Sequence, residues 1–279
     1  MRRPPAHKRA RVVTSSLVVG IVAGLVGLGL VASQATTAAN ELSGQSPNQV
    51  LTTSLVAATA HGSFHVTERA SALGALNVTE VGDVGVNEGR ETLAGGPIGS
   101  ATLMWFPGAI YLQGNAKFLG EALELSSADS SRLADQWIAF RPGDAGYSQV
   151  SGISPFSTVI KDLRPSGQLT LGSQAIVDGT NVISVSGLGP AASGEPRVVS
   201  HEVLDVSTSS PFLPVQEVVR ETVGGVFGEA ITLGFSSWGE RLSLVAPTDP
   251  VPSSSIPSLN PAQGGGSSGS GQPFNIEDA

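Results

Sequence analysis

"ITLGFSSWGERLSLVAPTDP" (Ile231–Pro250) is the stretch that decides how the chain is read. Its first half alternates: Ile231, Leu233 and Phe235 fall on one side, and Ala230, Thr232 and Ser236 on the other. One apolar face and one wet face mark a strand of an antiparallel sheet rather than of a parallel core buried on both sides. Trp238-Gly239 then offers a turn, Leu242–Val245 a short packing segment, and the prolines an exit. The stretch holds no nucleophile beside a base, no cluster of metal ligands and no phosphate loop.

The same period of two runs backwards through "LPVQEVVRETV", "PRVVSHEVLDVS" and "AIVDGTNVISVSG", where Asp178-Gly179 signals a hairpin. "QLTLGS", "SFHVTERA" and "ALNVTEVGDVG" read as further strands. "ATLMWFPGAIYLQGN" reads as a hairpin over Pro107-Gly108, with Leu103 and Trp105 on one face and Tyr111 on the paired strand. Helical signals break this pattern in two places. Ser46 as N-cap, Pro47 at the first helical position and Gly62 at the end predict a helix, with Val50, Leu51, Ser54, Leu55 and Ala58 on one face. Between the strands, Asn115–Glu124, a segment capped by Ser126 or Ser127, and Ser154–Leu163 predict three short helices around a buried "WIAF" strand.

Composition narrows the function. The first eleven residues carry five Lys/Arg, which leaves ten Lys/Arg against 23 Asp/Glu in the remainder, a net of −13. So acidic a domain, with no basic stripe, repels phosphate backbones, and nucleic acid is excluded as a partner. With no cysteine, the chain has no thiolate metal site, thiol catalysis, disulfide or lipid-modified cysteine. The basic flank precedes sixteen uncharged residues, Leu17–Ala32, which serve either as a cleaved export signal or as a membrane anchor. Either way the acidic domain lies outside the cytoplasm: a single-pass protein with its N-terminus inside, or a secreted one if the signal is cleaved. Residues 1–40 are thus flank and apolar segment, 41–257 one domain, and 258–279 a Gly/Ser-rich tail too polar to order itself.

Motifs for catalysis fail on context. "GLGPAA" (Gly187–Ala192) follows a strand, but "SGEPR" after it cannot open the helix that a dinucleotide loop requires. "GGSSG" (Gly265–Gly269) lies in the tail. His201 with Asp205 and a serine is a triad by count alone, without supporting spacing, and Asp129 and Asp135 read as a solvated helix face. No catalytic residue, metal ligand or cofactor is expected. What remains is apolar: Leu103, Trp105, Tyr111, Phe118, Leu123, Phe156, Ile160, Ile231, Leu233 and Phe235, from strands and short helices alike. They form either an ordinary core or the lining of a cavity that suits an acyl chain.

The order of these pieces resembles the actinobacterial LppX/LprG-type envelope lipoproteins, which share their architecture with the LolA lipoprotein carriers. The resemblance runs from Pro47 to Pro252. It rests on "GSFHVTE", "IYLQGN", the strand with Asp205, Leu213, Pro214 and Val215, and the ending with Phe235, Trp238, Gly239 and Glu240. It implies an α+β fold, a single strongly curved antiparallel sheet left open as a half-barrel with helices on its concave side. It also implies a non-enzymatic lipid- or glycolipid-binding protein of the cell envelope, with the ten apolar residues lining the cavity. The lipobox cysteine of that family is absent, so any membrane attachment falls to the N-terminal apolar segment. The competing reading is a membrane-anchored interaction or structural module without a ligand.

Overall fold

Ser46 opens the first helix by accepting a hydrogen bond from the Gln49 amide, while the Gln49 side chain accepts from the Ser46 amide. This reciprocal cap leaves two fewer orphan donors at the helix start. Helix α1 (Pro47–His61) then runs to Gly62, whose left-handed backbone ends it, and buries Val50, Leu51, Ser54, Leu55 and Ala58 along one stripe. The helix thus begins, ends and faces as the sequence predicts. In this computed structural model, residues 41–72, 78–95, 99–151, 156–189, 198–223 and 226–260 are described. The apolar segment and the tail beyond residue 260 lie outside them.

Five strands follow α1: β1 (Ser63–Ala72), β2 (Val78–Gly85), β3 (Gly89–Gly95), β4 (Gly99–Phe106) and β5 (Ala109–Gly114). Next come α2 (Ala116–Ala122), α3 (Ser127–Leu133), β6 (Trp137–Phe140), α4 (Tyr147–Val150) and α5 (Phe156–Asp162). The second half is β7 (Ser166–Val177), β8 (Thr180–Leu188), β9 (Val198–Ser207), β10 (Pro214–Val223) and β11 (Val226–Ser236), and the chain exits through β12 (Val251–Pro252). All join one open sheet in the order β12-β6-β5-β4-β3-β2-β1-β11-β10-β9-β8-β7. Only the β12–β6 pair is parallel, so the sheet is mixed rather than wholly antiparallel. The pairing of β1 with β11 brings the first strand against the last long one and joins the two halves.

Register sorts side chains onto two faces. Val66 pairs with Phe235 and Gly82, Gly82 with Glu91, Glu91 with Leu103, and Leu103 with Leu112. Paired residues of an antiparallel sheet share a face, and this one is here called the core face. It carries two apolar clusters. The first gathers α1, Phe156 and Ile160 of α5, Phe64 and Val66 of β1, Val185 of β8, Leu204 of β9 and Phe235 of β11. The second gathers Leu103, Leu112 and Ile138 of the strands with Phe118, Leu119, Leu133 and the exit residue Ile256.

Gly89 makes room on the core face for the Trp105 ring, which lies where a Cβ would stand. Gly89→Ala is therefore expected to cost about 1–3 kcal/mol through overpacking. Urea unfolding reads this directly, and an unchanged midpoint would mean that the indole does not rest there.

The exit segment is tied back by Asp129. Its carboxylate accepts from the Arg132 guanidinium at 2.8 Å and from the Ser258 hydroxyl at 2.7 Å. Those two bonds, the arginine's first, hold its pKa below the usual aspartate value. Asp129 is buried, not part of a solvated face as expected, because it fastens Pro257–Leu259 to α3. Asp135 is exposed.

Candidate functional site

The ten apolar residues singled out in the sequence do not meet in one place. Phe156, Ile160 and Phe235 belong to the first cluster, with half-buried Trp105 and Leu233 packed against it. Leu103, Phe118 and Leu123 belong to the second. Ile231 is half-buried and shares the core face with Leu233 two residues on. Tyr111 pairs with Met104, out of phase with Leu103, so it stands on the opposite face, where its ring lies edge-on to Phe106 at 5.9 Å. Trp238, read as a turn residue, also packs inward. Its ring lies 4.9 Å from Phe64, and its indole N–H donates to the Pro214 carbonyl at 3.1 Å.

Beside the apolar clusters, the core face bears a row of glutamates that sequence reasoning missed. Glu91 of β3, Glu80 of β2, Glu68 of β1, Glu217 of β10 and Glu202 of β9 are all in phase with apolar core-face residues. Glu91, Glu217 and Glu202 are buried, Glu202 with no exposed surface at all. Gly82 accommodates the Glu91 side chain, which folds over the bare glycine backbone. The signal was in the alternation: Glu68 falls in phase with Phe64 and Val66, and Glu202 with Leu204 and Val206.

These carboxyls act in pairs. Burial raises Glu91 well above the usual glutamate range, and the negative charges of Glu80 and Glu68 push it further. Glu80 is raised by burial too, but less, because it accepts a hydrogen bond from Glu91. At the other pair, burial and then the proximity of Glu202 push Glu217 well up. Glu202 rises to about 7 through burial, opposed by a hydrogen bond from Glu217, with the charge of Asp162 on α5 adding to the rise. In each pair one carboxyl keeps its proton and donates it to the other, since two adjacent carboxylates in a dry site cannot both ionise. Among the described residues, no amide, hydroxyl or cationic side chain donates to either oxygen of Glu202. The same residues contain no His/Asp/Glu group arranged to hold a metal ion.

The sequence motifs of possible catalysis are placed elsewhere. His201 is exposed on the opposite face, paired with Arg220, and the Asp205 carboxylate accepts instead from the Ser184 hydroxyl at 2.6 Å. His201 and Asp205 lie four residues apart on one extended strand, about 13 Å, too far for an imidazole–carboxylate bond. Gly187 of "GLGPAA" lies within β8, where a Cβ would strike the Ser166 carbonyl and Leu169, so the glycine serves sheet packing. No helix among the described residues is long and apolar enough to cross a membrane.

Neither a family model nor a curated protein matches the chain. Among solved structures it is similar to the crystal structure of LprF from Mycobacterium bovis, at 15% sequence identity and a TM-score of 0.47. That match covers 72% of this chain and 96% of the other.

Proposed function

We propose that this chain is a non-enzymatic binding protein of the cell envelope that holds a lipid or glycolipid by its acyl chains, outside the cytoplasm. The observation that carries the reading is the incomplete cover on the core face. Leu93, Trp105, Ile110, Val219, Ile231 and Leu233 all point to the side of the two clusters, yet each is only half-buried. Helix α1 lies against β7, β8, β9 and β10 of the open sheet. In this reading the sheet bends around α1 and α5 as an open half-barrel, with helices on its concave side.

Hydrocarbon laid along that half-covered strip gains about 0.8 kcal/mol per buried CH₂, so two acyl chains bind without any charged contact. The apolar segment before residue 40 either anchors the protein beside its membrane source or is removed on export.

Leu233→Trp fills the strip from a half-buried position, where the fold has least to lose. Wild-type protein from a lipid-matched host should yield about one lipid per chain on organic extraction, and Leu233→Trp several-fold less at an unchanged melting temperature. Equal loss of lipid and stability points to plain core packing. A wild-type chain free of lipid moves the reading to the ligand-free interaction module.

A further inference from the structure

We propose that Glu202 and Glu217, with the Ser200 hydroxyl beside them, form a binding site for the ammonium headgroup of an amphiphile whose hydrocarbon lies on the neighbouring apolar strip. This inference rests on the apolar-ligand reading above and adds the chemistry of the headgroup. Glu202 is fully buried, Glu217 is 5% exposed and Ser200 4%. Among the described residues, the Ser200 hydroxyl has no hydrogen-bond partner, and neither oxygen of Glu202 has a donor beyond the proton on Glu217. Native structures seldom leave a buried hydroxyl and a buried carboxylate oxygen side by side without a ligand, water or ion to serve them.

The geometry collects them. Ser200 and Glu202 sit two residues apart on β9 and so share the core face, and Glu217 lies on adjacent β10. Both β9 side chains stand over Gly189, where a Cβ would overlap the Ser200 hydroxyl and lie in ordinary contact with the Glu202 Cβ. Among the described residues, the charged groups that face the site are acidic: Glu68 of β1, Glu221 paired with Ser200 on β10, and Asp162 of α5. The buried stripe of α1 that packs on this side carries no titratable group. Neither Glu202 nor Glu217 makes an ion pair with Lys or Arg among the described residues.

Buried acceptors short of donors, on the two carboxyls Glu202 and Glu217 that pair with no Lys or Arg among the described residues, call for a cation that carries several N–H groups. An alkylammonium supplies three donors and one positive charge. Leu233 lies between Glu68 and Glu217 on the same face, so a hydrocarbon tail continues onto the strip directly from the charged end. Binding displaces the protons that the empty site holds, and affinity therefore rises with pH as Glu202 ionises.

The test uses the full chain in a non-ionic detergent and two water-soluble probes of equal length, hexylammonium and hexanol, titrated calorimetrically. At pH 7.5 hexylammonium should bind at least about tenfold tighter than hexanol, and this preference should shrink at pH 5.5. Glu202→Gln/Glu217→Gln should abolish the preference while keeping hexanol binding, and Glu121→Gln, an exposed acid on α2, should leave it intact. If the double variant does not fold, Glu202→Gln alone should show a reduced preference. Equal affinity for the two probes in the wild type overturns the ammonium site and leaves the apolar strip standing. A preference that survives in the double variant also overturns it, as general attraction to an acidic protein. Binding of neither probe overturns both readings.

Discussion

Phe64→Ala should unfold at a much lower urea concentration, with a loss of about 3–5 kcal/mol, the range for deleting a fully packed aromatic side chain. Phe64 is 1% exposed and stands where three parts of the chain converge. Its ring lies 5.6 Å from Phe156 of α5, 5.6 Å from Phe235 of β11 and 4.9 Å from Trp238 in the turn beyond. The Phe235 contact is edge-to-face, which adds to simple burial. Truncation empties the space between a helix and two strands that no single side chain can refill. Such a loss is a large fraction of the roughly 5–15 kcal/mol by which native proteins are stable. The denaturant slope should stay constant while the midpoint falls. A cost below about 1 kcal/mol would place the structural centre of the first cluster elsewhere.

Stability should fall, not rise, as pH increases from about 4.5 to 8. The sign follows from proton binding. Glu80, Glu91, Glu202 and Glu217 all have folded-state pKa values above the unfolded value of 4.5. Between the two values the folded chain holds protons that the unfolded chain has released, so the unfolding free energy decreases with pH. Glu202, raised to about 7, accounts for a loss of about 3 kcal/mol that is complete above that pH. Glu202→Gln should therefore be more stable than wild type at pH 8, by up to about that amount, and close to it at pH 5. Asp129 acts oppositely, but only near and below its ordinary pKa of 3.8, outside this window. Denaturant curves at pH 5 and pH 8 decide the matter. A wild-type profile that is flat or rises toward pH 8 would falsify the buried-acid account.

How much of this was legible in the sequence follows from the kind of signal each part carries. Helix α1 is punctuated on both sides by Ser46-Pro47 and Gly62, and its buried stripe is a clean helical repeat. The Asp178-Gly179 hairpin was equally plain, since both residues take the left-handed backbone that the turn demands. Strand β3 was not recognised, because "GRETLAG" is polar enough to pass for a loop and becomes a strand only between β2 and β4. The β1–β11 pairing left no local mark either, since it depends on distant residues such as Val66 and Phe235. Tyr111 was assigned to the core because aromatic residues are assumed to be buried. The register sends it outward and puts Leu112 and Ile110 inside. The glutamates were passed over for the converse reason, that acids are assumed to be solvated. Strand β10 obscured its own phase, because Glu217 and Glu221 flank Val219 on one face while Gln216 and Arg220 flank Val218 on the other.

A sheet that stays open has two free rims, and each could template a strand from another molecule. At one rim, β7 shifts register twice against β8, once between Ser166 and Thr170 and again between Leu171 and Gln174. These irregularities twist the strand and spoil the even ladder that an incoming chain would need. At the other rim, β12 is two residues long, and Pro252 has no N–H to offer. The Asp129–Ser258 bonds hold that short strip over β6, whose Ile138, Ala139 and Phe140 would otherwise form an apolar border. The molecule can thus remain unclosed without copies of it stacking into fibres.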